Sequence, residues 1–413
     1  MRGRILCTQV SVTLLFFTAI TFSQDWPQWR GPNRDGAAPA FREPKAWPER
    51  LQQVWKIEVG IGYSNPLVIG TRVYLHTRQG GNEVLACFDL DSGKQIWKQS
   101  YPAPYKMNSA AAGHGEGPKS TPVAAGGRLF TFGISGVLSA WDLATGKQIW
   151  GHDFTKEYKE DTWPDFGVAM SPLVEGNMVI AHAGGNKEGT LAAFDVANGA
   201  VKWSWKGDGP SYASPIVVDL GGTRQVVTQS RDNIVGVALA NGELLWKIPF
   251  TTAYTQNIIT PVLYKDTLIL SGIDKGVFAI RVKKAGTTWS TEKVWENADL
   301  PMYMSSPVIA GDYLYGMTHK KKGAYFCLDA RTGATQWVTS GREGDNAALL
   351  TTPSSILILN NAGELLVLRK NPKNVDIVHQ YKVAESATWA TPSFAGQRLL
   401  IKDVNTLALW RIE

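Results

Sequence analysis

The residues best suited to chemistry lie in one glycine-rich segment at 113–119. There His114, Glu116 and Lys119 follow one another, separated by glycines and a proline. The glycines could let His114 and Glu116 approach a ligand or a metal closely. The Gly-x-Gly-x-Gly spacing is not a dinucleotide fingerprint, because no helix pattern follows it. The segment is either a ligand-binding loop or a flexible surface loop.

A second polar segment carries Asp161, Trp163 and Asp165, which is a pair of carboxylates beside an aromatic platform. Arg231 lies in a later turn, Arg-Asp-Asn, and adds a cation that could contact an anionic cofactor. Carboxylates two residues apart are also typical of solvated loops. These residues therefore remain candidates for ligand binding, with a surface-loop interpretation beside them.

Recognisable catalytic machinery is missing from the sequence. It contains no His-Glu-x-x-His, no Gly-x-Ser-x-Gly and no zinc-type Cys/His spacing. No nucleophile stands out with its base, so we assign no catalytic residue and no metal ligand. The formal net charge is +6 and scattered along the chain, which argues against a nucleic-acid partner.

The elements that must position these residues follow from an internal repeat. An Asp is followed four residues later by Gly and four after that by Trp, in copies ending at Trp97, Trp150, Trp203 and Trp337. A copy that ends at Trp246 lacks only the Asp. A pattern that recurs at intervals of about 45–55 residues indicates one repeated supersecondary unit.

A second marker divides the chain into eight units. A small or polar residue before Pro opens an apolar run in each unit, from Asn65-Pro66 through Thr352-Pro353 to Thr391-Pro392. Each unit has room for four short strands separated by turns rich in Gly, Asp and Ser. Repeated four-stranded units are typical of propeller blades, so we predict an all-β, eight-bladed β-propeller of antiparallel blades over residues 51–413.

The two chain ends predict how the ring closes. The last unit stops after its third strand, whereas residues 54–56 resemble a fourth strand with no partners and contain Trp55. We therefore expect the N-terminal strand to complete the eighth blade and to leave no free edge. Blade five departs from the pattern with a longer hairpin before Trp295.

The full pattern Ala-x-Asp-x-x-x-Gly-x-x-x-Trp, at 140–150 and 193–203, resembles the docking motif of the PQQ-repeat (quinoprotein-type) β-propeller family. The resemblance implies that each Trp wedges between neighbouring blades. It also implies one of two functions: dehydrogenases that hold pyrroloquinoline quinone (PQQ) and Ca²⁺, or non-catalytic scaffolds similar to BamB, which are closer in length. The chain lacks the adjacent cysteines common in the former and the lipobox usual in the latter. The predicted docking residues are Trp55, Trp97, Trp150, Trp203, Trp246, Trp295 and Trp337.

The N-terminal residues precede the repeat and differ from it in composition. Residues 1–23 read as a signal peptide, with Arg2 and Arg4 before an apolar stretch that is shorter than the roughly 20 residues a membrane span needs. We therefore predict a secreted or periplasmic protein without a transmembrane span in the mature chain. Residues 24–50 are rich in Trp and Pro, and we expect this strap to pack across the propeller. Cys87 and Cys327 lie in strand patterns and are expected to be small buried residues.

Strand parity assigns the loops to two faces of the ring. The first and third turns of every blade, with their Asp/Gly loops, share one face. The second turns and the links between blades, including the long links at 98–120 and 151–170, share the other, which we call the loop-rich face. Large residues that precede the opening prolines should line the channel mouth there, either as a binding surface or as packing that closes the pore: Lys119, Tyr212, Tyr303, Met304 and Trp389.

The sequence thus favours a monomeric secreted or periplasmic propeller that acts as a binding or scaffold module for a protein or polymer at the loop-rich face. The alternative is a quinoprotein oxidoreductase that binds PQQ and Ca²⁺ on the same face. The candidate ligand-binding residues are His114, Glu116, Lys119, Trp163, Asp165, Arg231, Tyr303 and Trp389.

Overall fold

The computed structural model describes residues 25–159, 164–185 and 188–413. The predicted signal peptide and Trp163 lie outside these residues. In this part of the chain 32 strands form eight four-stranded antiparallel sheets, each of consecutive strands except the last. The predicted all-β, eight-bladed propeller is confirmed.

The first four blades are built from strands in chain order, after an N-terminal strand β1 (Gln52–Glu58). Blade one holds β2 (Leu67–Ile69), β3 (Arg72–Gln79), β4 (Asn82–Asp89) and β5 (Gln95–Pro102). Blade two holds β6 (Val123–Ala125), β7 (Arg128–Phe132), β8 (Val137–Asp142) and β9 (Gln148–Asp153). Blade three holds β10 (Leu173–Glu175), β11 (Met178–Gly184), β12 (Gly189–Asp195) and β13 (Val201–Trp205). Blade four holds β14 (Ile216–Leu220), β15 (Thr223–Gln229), β16 (Asn233–Ala238) and β17 (Leu244–Pro249).

The remaining blades complete the ring. Blade five holds β18 (Val262–Tyr264), β19 (Thr267–Gly272), β20 (Gly276–Ala285) and β21 (Thr288–Asn297). Blade six holds β22 (Val308–Ala310), β23 (Tyr313–Thr318), β24 (Ala324–Asp329) and β25 (Thr335–Val338). Blade seven holds β26 (Ala347–Thr351), β27 (Ser355–Asn360), β28 (Glu364–Arg369) and β29 (Ile377–Lys382). Blade eight holds β30 (Ser393–Phe394), β31 (Arg398–Lys402) and β32 (Thr406–Arg411). Short 3₁₀ turns cover Ser109–His114, Phe154–Lys156, Ala253–Thr255 and Lys320–Lys322.

The chain ends meet in blade eight as predicted. Strand β1 pairs antiparallel with β32, from Gln52 opposite Arg411 to Glu58 opposite Thr406. The sheet order is β1-β32-β31-β30, so the N-terminal strand is the outermost of that blade. This pairing closes the ring between its two ends.

Blade seven begins earlier than the Thr-Pro marker predicted. Strand β26 ends at Thr351, so Thr352-Pro353 forms the first turn of the blade and does not open it. No proline directly precedes strand β26. Instead, the backbone N–H of Ala347 at its start donates to Ser305 Oγ (2.9 Å). Ser305 Oγ in turn donates to Asn346 Oδ1 (2.9 Å).

The repeated Trp residues join neighbouring blades. Five indole N–H groups donate to a backbone carbonyl of the next blade at 2.8–3.2 Å, those of Trp55, Trp150, Trp203, Trp295 and Trp337. The Gly of the Asp/Gly loop takes a left-handed conformation and also leaves room for this indole. A Cβ atom on Gly146, for example, would lie 2.6 Å from the Trp97 ring. The repeated Gly therefore has two roles, of which the turn alone was evident from the sequence.

Two of the predicted docking residues behave differently. The Trp97 ring packs over Gly146, but its N–H has no hydrogen-bond partner among the described residues. The Trp246 N–H donates to Gln225 Oε1 of its own blade (2.7 Å) and not to blade five. Blade five has a long hairpin in place of the Asp/Gly loop. Trp246 nevertheless remains in the core that blades four and five share.

The strap enters the channel from the face of the first and third turns. Trp26 pairs with Val68 of the innermost strand of blade one, and the Ala38 amide donates to Thr351 O of blade seven (2.7 Å). Between them Arg34 donates to Pro172 O (2.9 Å) and to Ser171 O (3.0 Å) of blade three. The strap thus runs into the channel, and a cavity of about 600 Å³ remains between it and the inner strands of blades three to six.

Other expectations of the sequence concern thiols and membrane spans. Cys87 and Cys327 are buried and free. Among the described residues, none of the helices has the length and apolar character to cross a membrane.

Candidate functional site

A cavity of about 170 Å³ lies at the mouth of the channel on the loop-rich face. Every blade contributes to it, because its walls are residues that come just before the innermost strands. The strap provides one further wall from below through Trp29. The aromatic lining residues are Trp29, Tyr63, Phe166, Tyr212, Tyr303 and Trp389.

The rings contact one another around much of the cavity. The His114 ring lies 4.9 Å from that of Trp389 and 5.4 Å from that of Phe166, both near edge-to-face. Phe166 continues to Tyr212 at 5.7 Å, edge-to-face as well. All of these side chains are half-buried, so part of each ring faces the cavity and solvent. Such concave aromatic surfaces are typical of binding sites.

Lys119 and His114 supply the basic groups of the cavity. Burial lowers the pKa of Lys119 to about 8, although Glu116 and Glu83 act in the opposite direction. Burial also lowers the pKa of His114, and the Lys119 ammonium lowers it further. At neutral pH the cavity therefore presents a cationic amine and a neutral imidazole.

Asn65 adds an open hydrogen-bond donor. Its side chain is buried, and its Oδ1 accepts a hydrogen bond from the Thr391 amide (2.8 Å). Its Nδ2 has no partner among the described residues. Buried polar groups are nearly always paired, so an open amide that lines a cavity points to a ligand or ordered water there.

The floor of the cavity rests on two buried arginines. The guanidinium carbons of Arg30 and Arg34 lie 5.5 Å and 5.8 Å from the Trp29 ring centroid. Burial lowers the pKa of Arg30 to about 10 and that of Arg34 to about 9. Arg30 also donates to Pro307 O of blade six, whereas Arg34 donates to blade three. The two arginines therefore connect the Trp29 region to two different blades of the propeller.

The structure brings together four of the eight candidate ligand-binding residues. His114, Lys119, Tyr303 and Trp389 all line this cavity. Sequence reasoning missed Tyr63, although it stands close to the Asn65-Pro66 marker. It also missed the contributions of Phe166 and Trp29, whose positions follow from the paths of the link and the strap.

Of the other candidates, Glu116, Asp165 and Arg231 lie elsewhere, and Trp163 is outside the described residues. Glu116 is half-exposed, and its carboxylate is 4.0 Å from Nε of Arg78. Asp165 lines a separate cavity of about 720 Å³ between the two long links and accepts a hydrogen bond from Asn108 Nδ2 (2.9 Å). Arg231 forms an ion pair with Asp232 in its own turn (3.1 Å).

The described residues of this cavity do not fit PQQ with Ca²⁺. Calcium takes six to eight oxygen ligands, commonly carboxylates. No carboxylate is found in the described lining, and no cluster of three or more His, Cys, Asp or Glu in the described ranges could hold a metal. Lys119 is the one Lys or Arg in that lining, whereas PQQ carries several carboxylates. The Asp165 and Arg231 groups expected to assist are engaged outside the cavity.

Known proteins similar to this chain include BamB assembly factors and quinohemoprotein dehydrogenases. The assembly factor BamB of Moranella endobia is 24% identical over 387 residues, which is 86% of this chain and 88% of that protein. The crystal structure of BamB from Moraxella catarrhalis superposes with a TM-score of 0.63 at 17% identity, covering 88% of this chain and 98% of that one. The quinohemoprotein alcohol dehydrogenase of Comamonas testosteroni gives a TM-score of 0.66 at 14% identity, covering 96% and 81%. At these identities the structural likeness shows a shared fold.

A sequence profile identifies the family of the chain. It matches residues 80–339, which is more than half of the chain, and the family is described as outer membrane protein assembly factor BamB. The match covers the repeats that carry the docking Trp residues from Trp97 to Trp337. The chain therefore belongs to the BamB family of PQQ-type β-propellers.

Proposed function

We propose that this protein is a secreted or periplasmic scaffold that binds a protein partner through its loop-rich face. The related proteins are named for the assembly of outer membrane proteins, and a role of that kind is part of the proposal. The observation that carries it is the contrast between the two faces. The strap occupies the channel on the side of the opposite face, whereas half-buried aromatic rings from five of the eight blades converge on the loop-rich face: Tyr63, Phe166, Tyr212, Tyr303 and Trp389.

Tyr254 supports the proposal from the rim of the same face. It lies in the link between blades four and five, and 81% of it is exposed, the largest exposed fraction among the large hydrophobic residues in the described ranges. Its φ of 59° is in the left-handed region, which costs energy for a residue with a Cβ atom. Tyr is enriched at binding hot spots, so an exposed tyrosine held in this way suits a contact with a partner.

The oxidoreductase alternative is supported by fold likeness to quinohemoprotein dehydrogenases. Fold alone does not choose a function. Against it stands the donor set of the cavity, which lacks carboxylates in its described lining. Titration with PQQ and Ca²⁺ separates the two functions, since a quinone absorption band that appears on reconstitution would favour the enzyme.

Site-specific photocrosslinking in the native cell envelope tests the scaffold role. A photoreactive residue replaces Tyr254 on the loop-rich face and, as the matched control, Ala144 in the third turn of blade two on the opposite face. Both positions are exposed. We expect a discrete crosslinked protein from Tyr254 and none from Ala144. The same partner from both positions, or none from either, would contradict the assignment of the face.

A further inference from the structure

We propose that the cavity at the channel mouth binds an aromatic ring that carries one carboxylate. Such a group occurs as a free aromatic acid and as the C-terminal aromatic residue of a polypeptide. The site is inferred from the cavity itself and stands whether or not the scaffold role is correct.

The size of the cavity suits one ring. An engineered apolar cavity of about 150 Å³ in another protein binds benzene, and the cavity here measures about 170 Å³. Its walls offer ring faces and edges in mixed orientation, from Trp389, Phe166 and Tyr212. Aromatic pairs prefer offset or edge-to-face contacts at 4.5–7 Å, so a flat ring would find several such contacts at once.

Two donors on one wall suit a carboxylate. The backbone N–H of Asn65 donates to Thr121 Oγ1 (3.0 Å). Asn65 therefore lies beside the segment that carries Lys119, two residues before Thr121. Asn65 Nδ2 has no partner in the described chain, and Asn65 is 2% exposed. Lys119 Nζ donates to Gly115 O at 3.3 Å, which leaves further donor capacity. A carboxylate has two oxygens and could accept from both groups.

The positive charge of the cavity wall favours an anionic ligand. Aromatic cages in proteins commonly bind cations through the faces of their rings. Here the Lys119 ammonium lies in the wall, and the described lining contains no carboxylate, although Glu116 and Glu83 act on Lys119 from outside it. A cation would be repelled, whereas an anion would gain a charge-assisted hydrogen bond.

The same groups predict how binding changes with pH. Lys119 loses its proton as the pH rises past about 8, so affinity for the anion should fall between pH 7 and pH 9. The charged and titratable groups that act on Lys119 or on its neighbour are Glu116, Glu83 and His114. The pKa values of His114 and Glu83 are both lowered, so neither group should change charge in that interval.

Isothermal titration of the purified protein with N-acetylphenylalanine and with its amide tests the proposal. We expect the acid to bind and the amide to bind roughly 10-fold to 100-fold more weakly, which is the effect of one charge-assisted hydrogen bond. Lys119→Met should reduce the affinity for the acid by a similar factor and abolish the pH dependence. Lys275→Met, in the second turn of blade five, is the matched control and should leave the affinity unchanged.

A thermal melt first verifies that each variant folds. Trp389→Leu provides a second variant that keeps the charge and removes one wall of the cavity, so weaker binding is again expected. A short peptide that ends in phenylalanine, with a free or an amidated C-terminus, distinguishes the two sources of the ligand. If the peptide binds more tightly than the free acid, the ligand is a polypeptide C-terminus; if the free acid binds more tightly, it is a free aromatic acid. Equal affinity for acid and amide, or no binding of any probe, would overturn the proposal.

Discussion

Gly333 lies so close to the indole of Trp295 that a Cβ atom on it would stand 2.4 Å from the ring. Its φ is +72°, so the residue also occupies the left-handed region. Gly286 has a similar φ of +61° but has no heavy atom within 4 Å of the same position. A comparison of alanine substitutions at the two glycines therefore separates the energetic cost of backbone strain from that of a collision with the docking Trp.

We expect Gly286→Ala to cost about 1–2 kcal/mol of stability, from the left-handed backbone alone. Gly333→Ala should cost about 1–3 kcal/mol more, because the Trp295 ring must move. Denaturant unfolding that follows Trp fluorescence measures both. Equal losses for the two variants would show that the indole does not depend on the space that Gly333 leaves.

The strap is predicted to hold the ring together through Arg34. Its guanidinium donates to carbonyls of Ser171 and Pro172 in the channel, and removal would leave them without these donors. Arg34→Ala should therefore lower stability by about 2–4 kcal/mol and free the strap. Limited proteolysis near residue 34 is the measurement. Arg42→Ala, at an exposed position of the same strap, should leave the cleavage pattern unchanged.

Much of the ring could be predicted from the sequence, because each blade repeats its turn residues at a fixed spacing. The start of blade seven could not, since Asn346 is held by Ser305 through side-chain contacts and not by a proline. The mouth of the channel was partly predictable from strand parity, which placed Tyr303 and Trp389 there. The path of the strap was not, because Arg34 contacts Ser171, 137 residues away, and no local pattern records such a contact.

The thiols of Cys87 and Cys327 should be inert in the folded protein. Burial raises the pKa of Cys87 to about 11 and that of Cys327 to about 12. The thiolate is the reactive form, so both should resist alkylation by iodoacetamide at pH 8 until the protein is denatured. Mass spectrometry before and after denaturation checks this. Labelling of either residue at the rate of a free thiol would contradict the buried placement.

Glu83 is predicted to make the stability of the fold depend on pH in the acidic range. Its side chain is fully buried, its Oε2 lies 3.3 Å from His76 Nε2, and its Oε1 accepts from the Ile134 amide (2.7 Å). Burial opposes ionisation, yet His76, a hydrogen bond from Tyr101 and the Ile134 amide together hold the pKa of Glu83 below its usual value. A carboxylate whose pKa is lower in the folded state stabilises the fold above its unfolded pKa, near 4.3, and this stabilisation is lost as pH falls through the folded pKa.

Glu83→Gln should therefore destabilise the protein at pH 7 by about 3 kcal/mol, because His76 and the Ile134 amide would lose the buried negative charge that they contact. The difference from the unsubstituted protein should shrink below pH 4, where the carboxylate of the latter also takes up a proton. Thermal melts from pH 3 to pH 8 measure the two curves. Glu292→Gln serves as the control, since Glu292 pairs with Lys283 and Arg281 at the surface and such pairs contribute little. A constant difference across that pH range would mean that Glu83 acts through its shape and hydrogen bonds and not through its charge.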